Sequence, residues 1–394
     1  MHSYVLYDSQ KYMKNTKRLF LGYFILLGCL VSFISCGGTR DSQHNISRID
    51  SLSIETKHVL SKDSIFPLQT YYLSCPYYSS VDSFAILGLN SKMHALDIFT
   101  SSSIADRIQL EHHGENGILR RPISVYTISK DSIWIYDQIA FYLINSKGKV
   151  LHKYTEPKVV FLDSNYAMNT ATMGWYDNDI LLYPVDCNGK YFIEYYSLKQ
   201  KKVVKEVPLD FPDCNKDGEN SYGDMKYPNV TFACNKIIYN YPYDSSIRTI
   251  DVSTGDKKLF EVQSQFVENS LTPYHGAKKT EDWLNYDWSN VHFYEVSYMP
   301  QLNLYVRFVL DGINTDNYKD KNTVVDARKL YITFMDNNFE VIGEFPLAEK
   351  RYSNFHGWCV LPNAIVIYVD NLLGNFQENL TLDIIRPILK DKLK

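Results

Sequence analysis

The sequence has few cysteines and no excess of charge of either sign. Seven of its 394 residues are cysteines, and 41 lysines and arginines stand against 45 aspartates and glutamates. Sparse cysteines exclude a disulfide framework, and the lack of a basic patch argues against a nucleic-acid partner. We expect the cysteines that follow Cys36 to be free and buried. If one bridge forms, Cys214 and Cys234 are the most closely spaced pair. The downstream cysteines are Cys75, Cys187, Cys214, Cys234 and Cys359.

Recognisable catalytic motifs and long amphipathic helices are also missing. The sequence contains no nucleophile elbow, zinc-protease helix, phosphate-binding loop or dinucleotide fingerprint. No window of helix length carries apolar residues at helical spacing. These absences favour an all-β protein without enzymatic activity.

The one long apolar run is short and lies near the N-terminus. It extends from Leu19 to Ile34, follows a basic segment with Lys14, Lys17 and Arg18, and ends at Cys36. The run is too short for a comfortable transmembrane helix, and its layout is that of a lipoprotein signal peptide. We therefore expect an exported protein that carries its lipid anchor on Cys36.

The details of this signal leave one alternative. Met13 opens a more typical basic segment than Met1, so we expect it to be the true start. Cys29 fits the usual letters before a lipidated cysteine better than Cys36, but cleavage there would leave an apolar stretch on the mature end. Asp41 is the one acid shortly after Cys36. The sequence thus favours an outer-membrane lipoprotein that faces the periplasm.

Short β-branched and aromatic runs recur along the rest of the chain, separated by turn residues. The anchor residues of six such runs lie 47 to 67 residues apart; they are Ile86, Ile133, Ile180, Ile237, Leu304 and Ile365. A repeat of several strands at such a period is typical of propeller blades. We predict a six-bladed β-propeller, in which these residues anchor the inner strands and a strand at Ser51–Leu60 closes the ring.

The repeats and the signal together divide the chain into three parts. Residues 1–35 form the signal peptide, residues 36–48 the lipidated cysteine and a polar tether, and residues 49–394 the propeller. Pairing of the N-terminal strand into the last blade would remove the open sheet edges that a linear array leaves exposed.

Several segments resemble a known group of proteins. The Gly114–Ile118 and Asp131–Asp137 segments and the Asn145–Lys149 hairpin resemble a blade of NHL-like or TolB-like six-bladed propellers. With the Asn303–Phe308 strand and the end of the signal, the mature chain resembles a family of uncharacterised lipoproteins from Bacteroidota. This resemblance implies a propeller in the cell envelope and no particular chemistry.

One loop has the spacing of a calcium site. Oxygen-bearing side chains stand at positions 1, 3, 5, 9 and 12 of the segment, with glycine at position 6; they are Asp213, Asn215, Asp217, Ser221 and Asp224. Aspartate replaces the usual glutamate at the last position, and prolines flank the loop instead of helices. The alternative is a solvated polar turn, so Ca²⁺ is the one cofactor that the sequence suggests.

The segment 265–292 is the longest irregular stretch and is rich in aromatic residues. Long loops on a rigid ring often carry binding sites. The candidate binding residues here and at the start of the last blade are Tyr274, His275, Trp283, Trp288, His356 and Trp358. The alternative is that the tryptophans are buried against blade edges.

Two further features admit two interpretations each. His112 and His113 could bind a metal, but neighbours on a strand point to opposite faces, which favours a structural role. Arg307, within an apolar strand, either reaches the central channel and a carboxylate there or faces outward.

The composition and motifs thus favour a lipid-anchored propeller that binds a protein or glycan partner. The alternative is a glycan-active hydrolase or lyase with carboxylates at the propeller channel, which would need a pair of acids facing one pocket.

Overall fold

Six antiparallel sheets follow one another along the chain. The computed structural model describes residues 48–60, 68–69, 72–77, 85–100, 104–162, 172–216, 218, 221–275, 280–317, 327–352, 357–369 and 379–390. Five sheets have four strands and one has five. The signal peptide, Cys36 and the tether lie outside these residues, so the predictions made for them stay predictions.

Each sheet is one blade, numbered here in chain order. Blade 1 contains β2 (Leu73–Pro76), β3 (Ala85–Asn90), β4 (Ala95–Thr100) and β5 (Ile104–Gln109). Blade 2 contains β6 (Ser124–Ser129), β7 (Ser132–Tyr136), β8 (Ala140–Ile144) and β9 (Val150–Thr155). Blade 3 contains β10 (Val159–Val160), β11 (Gly174–Tyr176), β12 (Ile180–Cys187), β13 (Lys190–Ser197) and β14 (Lys202–Pro208).

The second half of the ring has the same plan. Blade 4 contains β15 (Asn229–Ala233), β16 (Lys236–Asn240), β17 (Ile247–Asp251) and β18 (Lys257–Phe260). Blade 5 contains β19 (His292–Met299), β20 (Leu304–Leu310), β21 (Leu330–Met335) and β22 (Val341–Pro346). Blade 6 contains β23 (Trp358–Val360), β24 (Ile365–Tyr368), β25 (Asn379–Leu389) and, from the N-terminal side, β1 (Ile49–Leu60).

The predicted all-β, six-bladed propeller is confirmed, with one correction to its strand assignment. The six anchor residues begin or lie within the second strand of each blade, not the innermost strand. The innermost strands are β2, β6, β11, β15, β19 and β23. Each of them is either short, like β11 and β23 with three residues, or interrupted by polar residues, like β19, so they lack the long apolar run that marks their neighbours.

The N-terminal strand closes the ring as predicted. β1 pairs antiparallel with β25 along its whole length, from Ile49 opposite Leu389 to Leu60 opposite Asn379. Blade 6 therefore combines strands from both ends of the propeller sequence. Because the last blade is completed by the first strand, the ring cannot open without breaking this ladder.

The position of a strand in its blade explains its residue pattern. β20 and β21 are buried along their whole length, because their blade packs between two others. The outermost strand β9 alternates between exposed and half-buried residues, as expected for a strand with one solvated face. Apolar clusters between neighbouring blades form the core; one joins Ile86 and Phe99 of blade 1 to Val366 and Leu382 of blade 6.

Polar side chains join neighbouring blades through main-chain carbonyl groups. Asn229 of β15 donates to the carbonyl oxygen of Phe293 on β19, at 2.8 Å. Thr231 donates to the carbonyl oxygen of Val296, and Thr127 of blade 2 donates to that of Pro76 in blade 1. These bonds satisfy carbonyl groups that the innermost strands leave outside the sheet ladders.

Arg307 fits neither sequence-based interpretation. It is fully buried, and its Nη1 donates to the carbonyl oxygen of Ser245 at 2.6 Å. Its guanidinium lies 4.8 Å from the centre of the Phe293 ring. Burial lowers the pKa of Arg307 to about 10. This arginine therefore connects blades 4 and 5, and neither faces outward nor pairs with a carboxylate of the channel.

Short helices lie in the connections between blades and, at Thr315–Asn317, between two strands of blade 5. The predicted irregular stretch 265–292 contains one α-helix, α1 (Thr280–Ser289), which is too short for a clear helical stripe in the sequence. Turns of 3₁₀-helix occur at Asp213–Asn215, Gly223–Lys226 and Thr315–Asn317. In the described part of the chain, no helix has the length and apolar character needed to cross a membrane.

The five downstream cysteines are free, as predicted, but not all of them are buried. Cys75 and Cys359 are buried, whereas Cys187, Cys214 and Cys234 are exposed. The closely spaced pair Cys214 and Cys234 is therefore unbridged in this structure.

Candidate binding site

The two faces of the ring differ strongly in their connections. Because strands alternate in direction within each blade, the linkers between blades and the connections from second to third strands emerge on one face. We call this the linker face; its linkers are 61–72, 110–123, 156–158, 161–173, 209–228, 261–291 and 347–357, with β10 between the third and fourth of these ranges. The opposite turn face carries short turns such as 130–131, 177–179 and 234–235. Long, adaptable loops are where binding residues usually lie.

Hydrogen bonds hold the linkers to one another and to the neighbouring connections. The main-chain amide of Leu110 donates to the carbonyl oxygen of His94 at 3.1 Å. Asn215 Nδ2 donates to the hydroxyl of Tyr243 at 3.1 Å. The amide of Ile313 donates to the carbonyl oxygen of Trp288 at 2.9 Å. Hydrogen bonds therefore hold the linkers of this face in place on the blades beneath them.

The structure brings two of the predicted sites into contact. The amide of Tyr274 donates to the carbonyl oxygen of Ser221 at 2.8 Å, which joins the aromatic segment to the predicted calcium loop. Gly223 has a φ of +62° and lies under α1; an added Cβ would be 3.0 Å from Asp287 Oδ1. The sequence could not show this contact, because the two segments belong to different linkers.

The aromatic candidates divide into accessible and buried residues. The ring of Tyr274 packs edge-on against Trp283 and Tyr286, with centroids 6.1 and 5.2 Å apart. Tyr274 and Trp283 are half-buried and His275 is exposed. Trp288 is 8% exposed, so for this residue the alternative of burial holds. His356 lies outside the described residues.

The calcium loop is only partly described. Asp213 is exposed, whereas Asn215 is buried and bonded to Tyr243. Asp217 and the side chain of Asp224 lie outside the described residues. No group of three or more metal-binding side chains occurs among the residues that the structure does describe. Calcium binding by this loop stays a prediction.

His112 of the linker 110–123 stacks on His94 of the turn between β3 and β4. The rings of His94 and His112 are parallel, with centroids 3.7 Å apart. His113 lies farther away, with its ring centre 6.3 Å from that of His112. Burial, followed by the proximity of His112, lowers the pKa of His94. Sequence reasoning missed His94, because it lies 18 positions before His112, in the turn between β3 and β4.

A cavity of about 560 Å³ occupies the centre of the ring. Its wall is formed by the innermost strands of five blades, and blade 3 contributes Thr172 and Met173 just before β11. Trp358, one of the predicted binding residues, lies on this wall; it is 8% exposed and packs edge-on against Tyr294 and Phe308. A volume of this size lies within the usual range for small-ligand sites.

The cavity wall is polar but carries little charge. Glu295 is the one charged side chain among the described residues that line it. Hydroxyl groups come from Ser74, Ser124 and Ser297 on three different blades. Burial raises the pKa of Tyr126 to about 12, so its hydroxyl stays neutral. Sequence reasoning missed these residues because isolated serines and threonines carry no recognisable pattern.

Two of the three cysteines on the wall, Cys75 and Cys359, have thiols that are poor nucleophiles. Burial raises the pKa of Cys75 to about 12 and that of Cys359 well above its usual value. The Sγ atom of Cys75 lies 3.9 Å from Thr127 Oγ1. A thiol must lose its proton to attack a substrate, so neither cysteine is suited to covalent catalysis.

Three fully buried acids bond to side chains of the blades and linkers instead of lining the cavity. Asp97, Glu194 and Asp383 occupy the third strands of blades 1, 3 and 6 and are at most 1% exposed. Arg107 Nε contacts Asp97 at 2.5 Å, and Lys158 Nζ contacts Glu194 at 2.6 Å. These ion pairs fix strands and linkers, so their carboxylates are not placed to face a substrate in the channel.

Fold and site together define a class of protein: a ring-closed six-bladed propeller with one elaborated face and a central cavity. The chain belongs to the DUF4221 family, a domain of unknown function, whose model matches residues 49–346. No protein of curated function matches the chain. The predicted resemblance to an uncharacterised family of bacterial propellers is thereby confirmed; the NHL-like affiliation stays a prediction.

Two solved structures share the fold. A crystal structure of a DUF4221 member from Bacteroides vulgatus matches with a TM-score of 0.68 and 14% identity, over 87% of this chain and 100% of that one. A protein from Bacteroides fragilis, titled "Putative exported protein", matches with a TM-score of 0.52 and 12% identity, over 88% of this chain and 98% of that one. At these identities the likeness concerns the fold alone.

Proposed function

We propose that this chain is a non-enzymatic binding module of the cell envelope that holds a protein or glycan partner on its linker face. One observation carries the proposal: the long connections of the ring, with their exposed apolar and aromatic side chains, lie on a single face. Leu119, Ile139 and Phe266 belong to this face and are 62%, 38% and 44% exposed. Exposed apolar groups on a rigid, loop-bearing face are typical of interaction surfaces.

The proposed location is the periplasmic side of the outer membrane, with a lipid anchor on Cys36. The basic segment, short apolar run and following cysteine support this location. The name of the similar Bacteroides fragilis structure, which calls that protein exported, agrees with it.

The charge pattern of the cavity supports binding over hydrolysis. Glycoside hydrolysis normally needs two carboxyl groups on either side of the scissile bond, about 5 to 10 Å apart. Among the described residues of the wall, Glu295 alone has a carboxyl group. The glycan-active hydrolase or lyase is therefore the weaker candidate.

Blade 2 offers a matched pair of variants to test the face. Ile139 lies on the linker face, in the turn between β7 and β8, and is 38% exposed. Ile128 lies at the turn-face end of β6 and is 37% exposed. The full chain would be immobilised, and retention of envelope protein and envelope polysaccharide fractions from the native host would be compared for Ile139→Ser and Ile128→Ser. We expect Ile139→Ser to weaken retention about fivefold and Ile128→Ser to leave it unchanged.

Two results would refute the proposal. If Ile139→Ser and Ile128→Ser change retention equally, the linker face is not the binding surface. Shortened sugar chains in the polysaccharide fraction after incubation with the full chain would identify an enzyme.

A further inference from the structure

We propose that the central cavity binds a neutral sugar, or the neutral sugar end of a glycan, of one or two units. This inference goes beyond the proposed function, because it concerns the centre of the ring instead of the linker face and selects a glycan over a protein.

The volume of the cavity suits a small ligand. Small-ligand sites enclose about 300 to 1,000 Å³, and the cavity of about 560 Å³ is within that range. A folded protein segment or an extended polymer would have to thread between six innermost strands. A small molecule or the end of a chain can enter without moving a blade.

The side chains that line the cavity suit a ligand with several hydroxyl groups. Five residues with hydroxyl groups, one from each of five blades, line the cavity: Ser74, Ser124, Thr172, Thr231 and Ser297. Two of these hydroxyls also bond to a neighbouring blade, since Thr231 donates to the carbonyl oxygen of Val296 and Ser74 accepts from the hydroxyl of Tyr368. A hydroxyl both donates and accepts hydrogen bonds, which matches the alternating donors and acceptors of a sugar.

Aromatic groups complete the match. Tyr126, Tyr298 and Trp358 lie on the wall, together with Phe232. The apolar faces of sugar rings pack against aromatic rings, while their hydroxyl groups turn to polar neighbours. A ligand with both polar and apolar groups therefore matches this wall better than a purely apolar one.

Charge decides among polar ligands. The described part of the wall includes no lysine, arginine or histidine, and its one charged residue is the acid Glu295. A phosphate, sulfate or carboxylate ligand would find no counter-charge there and would be repelled by Glu295. A small cation is the competing ligand, and the experiment below separates it from a neutral sugar.

The test is isothermal titration calorimetry on the full chain with a panel of defined sugars. The neutral probes are glucose, galactose, mannose, xylose, N-acetylglucosamine, cellobiose, maltose and lactose; glucosamine and glucuronate are their charged counterparts. We expect at least one neutral probe to bind with 1:1 stoichiometry and to raise the melting temperature, and glucuronate not to bind.

Three variants locate that binding. Thr172→Trp should fill part of the cavity and weaken binding at least about tenfold, whereas Thr254→Trp on the turn face should leave it unchanged. Ser297→Val removes a hydroxyl group with little change in volume and should weaken binding several-fold. Because Thr172 is a half-buried linker residue, its variant is expected to fold; an unchanged melting temperature of the free variant verifies this.

Glu295→Gln distinguishes the ligand class. A neutral sugar should lose no more than about threefold in affinity, because the amide still forms hydrogen bonds. Tight binding of glucosamine alone, lost in Glu295→Gln, would overturn the proposal in favour of a cation site. Absence of any neutral-sugar binding, or binding unaffected by both Thr172→Trp and Ser297→Val, would also overturn it.

The outcome is separable from that of the proposed function. If no neutral sugar binds but Ile139→Ser still weakens partner retention, the cavity inference fails and the proposed function stands. If sugar binding follows the cavity variants while Ile139→Ser and Ile128→Ser behave alike, the cavity inference stands and the linker face does not bind the partner.

Discussion

Single buried acids fix the blades, and Asp383 is among the most heavily bonded of those in the described part of the chain. It accepts hydrogen bonds from Arg351 Nη2 at 2.7 Å, the hydroxyl of Tyr352 at 2.6 Å and Thr56 Oγ1 at 2.7 Å. Burial opposes the charge of this carboxyl, but the bonds from Arg351, Tyr352 and Thr56 outweigh it and lower its pKa. The residue therefore ties the last linker to both strands of the ring closure.

Removing this charge should weaken the whole fold. We expect Asp383→Asn to lower the free energy of unfolding by about 3 kcal/mol, because it leaves a partly buried arginine without its counter-ion. The exposed Asp256→Asn should change it by less than about 0.5 kcal/mol. Urea denaturation measures both, and an equal small effect of the two variants would contradict the role assigned to Asp383.

His292 should make the protein sensitive to mild acid. Burial, with a smaller effect of nearby Arg328, lowers the pKa of His292 from 6.5 to about 3. A lowered pKa means that the unfolded state binds the proton more tightly than the native state. Its stabilising contribution is thus present above pH 6.5 and is lost as the pH falls towards 3. Between pH 6.5 and 5 the loss from this residue amounts to about 2 kcal/mol.

Comparison of histidine variants tests this assignment. Urea denaturation at several pH values between about 7.5 and 5 should give a shallower pH dependence for His292→Phe than for the unmodified chain. The exposed His113→Phe should keep the original dependence. Some dependence should remain, because burial also lowers the pKa of His94 and His152. A slope unchanged in His292→Phe would show that the residue takes up its proton in the native state.

At the scale of the element, β1 holds the ring closed. Its ladder with β25 runs from Ile49 to Leu60, and its loss would leave the long edge of β25 unpaired. A chain lacking residues 1–60 should therefore melt at a lower temperature or aggregate. A synthetic peptide of residues 48–60 should restore the melting temperature, and the same peptide with Glu55→Pro should not. Equal stability with and without β1 would refute closure by this strand.

The linker 209–228 carries the calcium prediction. If the loop binds Ca²⁺, the ion stabilises the native state alone, by about 2.7 kcal/mol at a hundredfold excess over its dissociation constant. Mg²⁺ should stabilise less, since it requires a tighter octahedral shell. Asp213→Ala with Asp217→Ala should abolish the shift in melting temperature. No Ca²⁺-dependent shift in the unmodified chain would leave the loop as a solvated turn.

At the scale of the whole molecule, the repeat pattern was predictable and the site was not. The second strands carry continuous apolar runs because neighbouring blades bury both of their faces, so Ile133 and Ile365 mark their blades in the sequence. The innermost strands contact a cavity and carry serines and threonines, which have no period that a sequence pattern can detect. The helix α1 was missed because its ten residues form no clear stripe.

Long-range contacts account for the remaining differences. Arg307 bonds to the carbonyl oxygen of Ser245, 62 positions away along the chain. Tyr274 and Ser221 meet because two linkers emerge side by side on one face. Such contacts depend on how the blades are arranged around the ring, which local sequence patterns do not encode.

We infer that the propeller binds the neutral end of a glycan in its central cavity and does not cleave it. The most direct test is to incubate the full chain with neutral oligosaccharides of defined length, recover the retained fraction and determine its length by mass spectrometry. We expect the retained oligosaccharides to have unchanged length, and we expect Thr172→Trp to abolish retention. Recovery of shortened or unsaturated products, or no retention of any oligosaccharide, would contradict it.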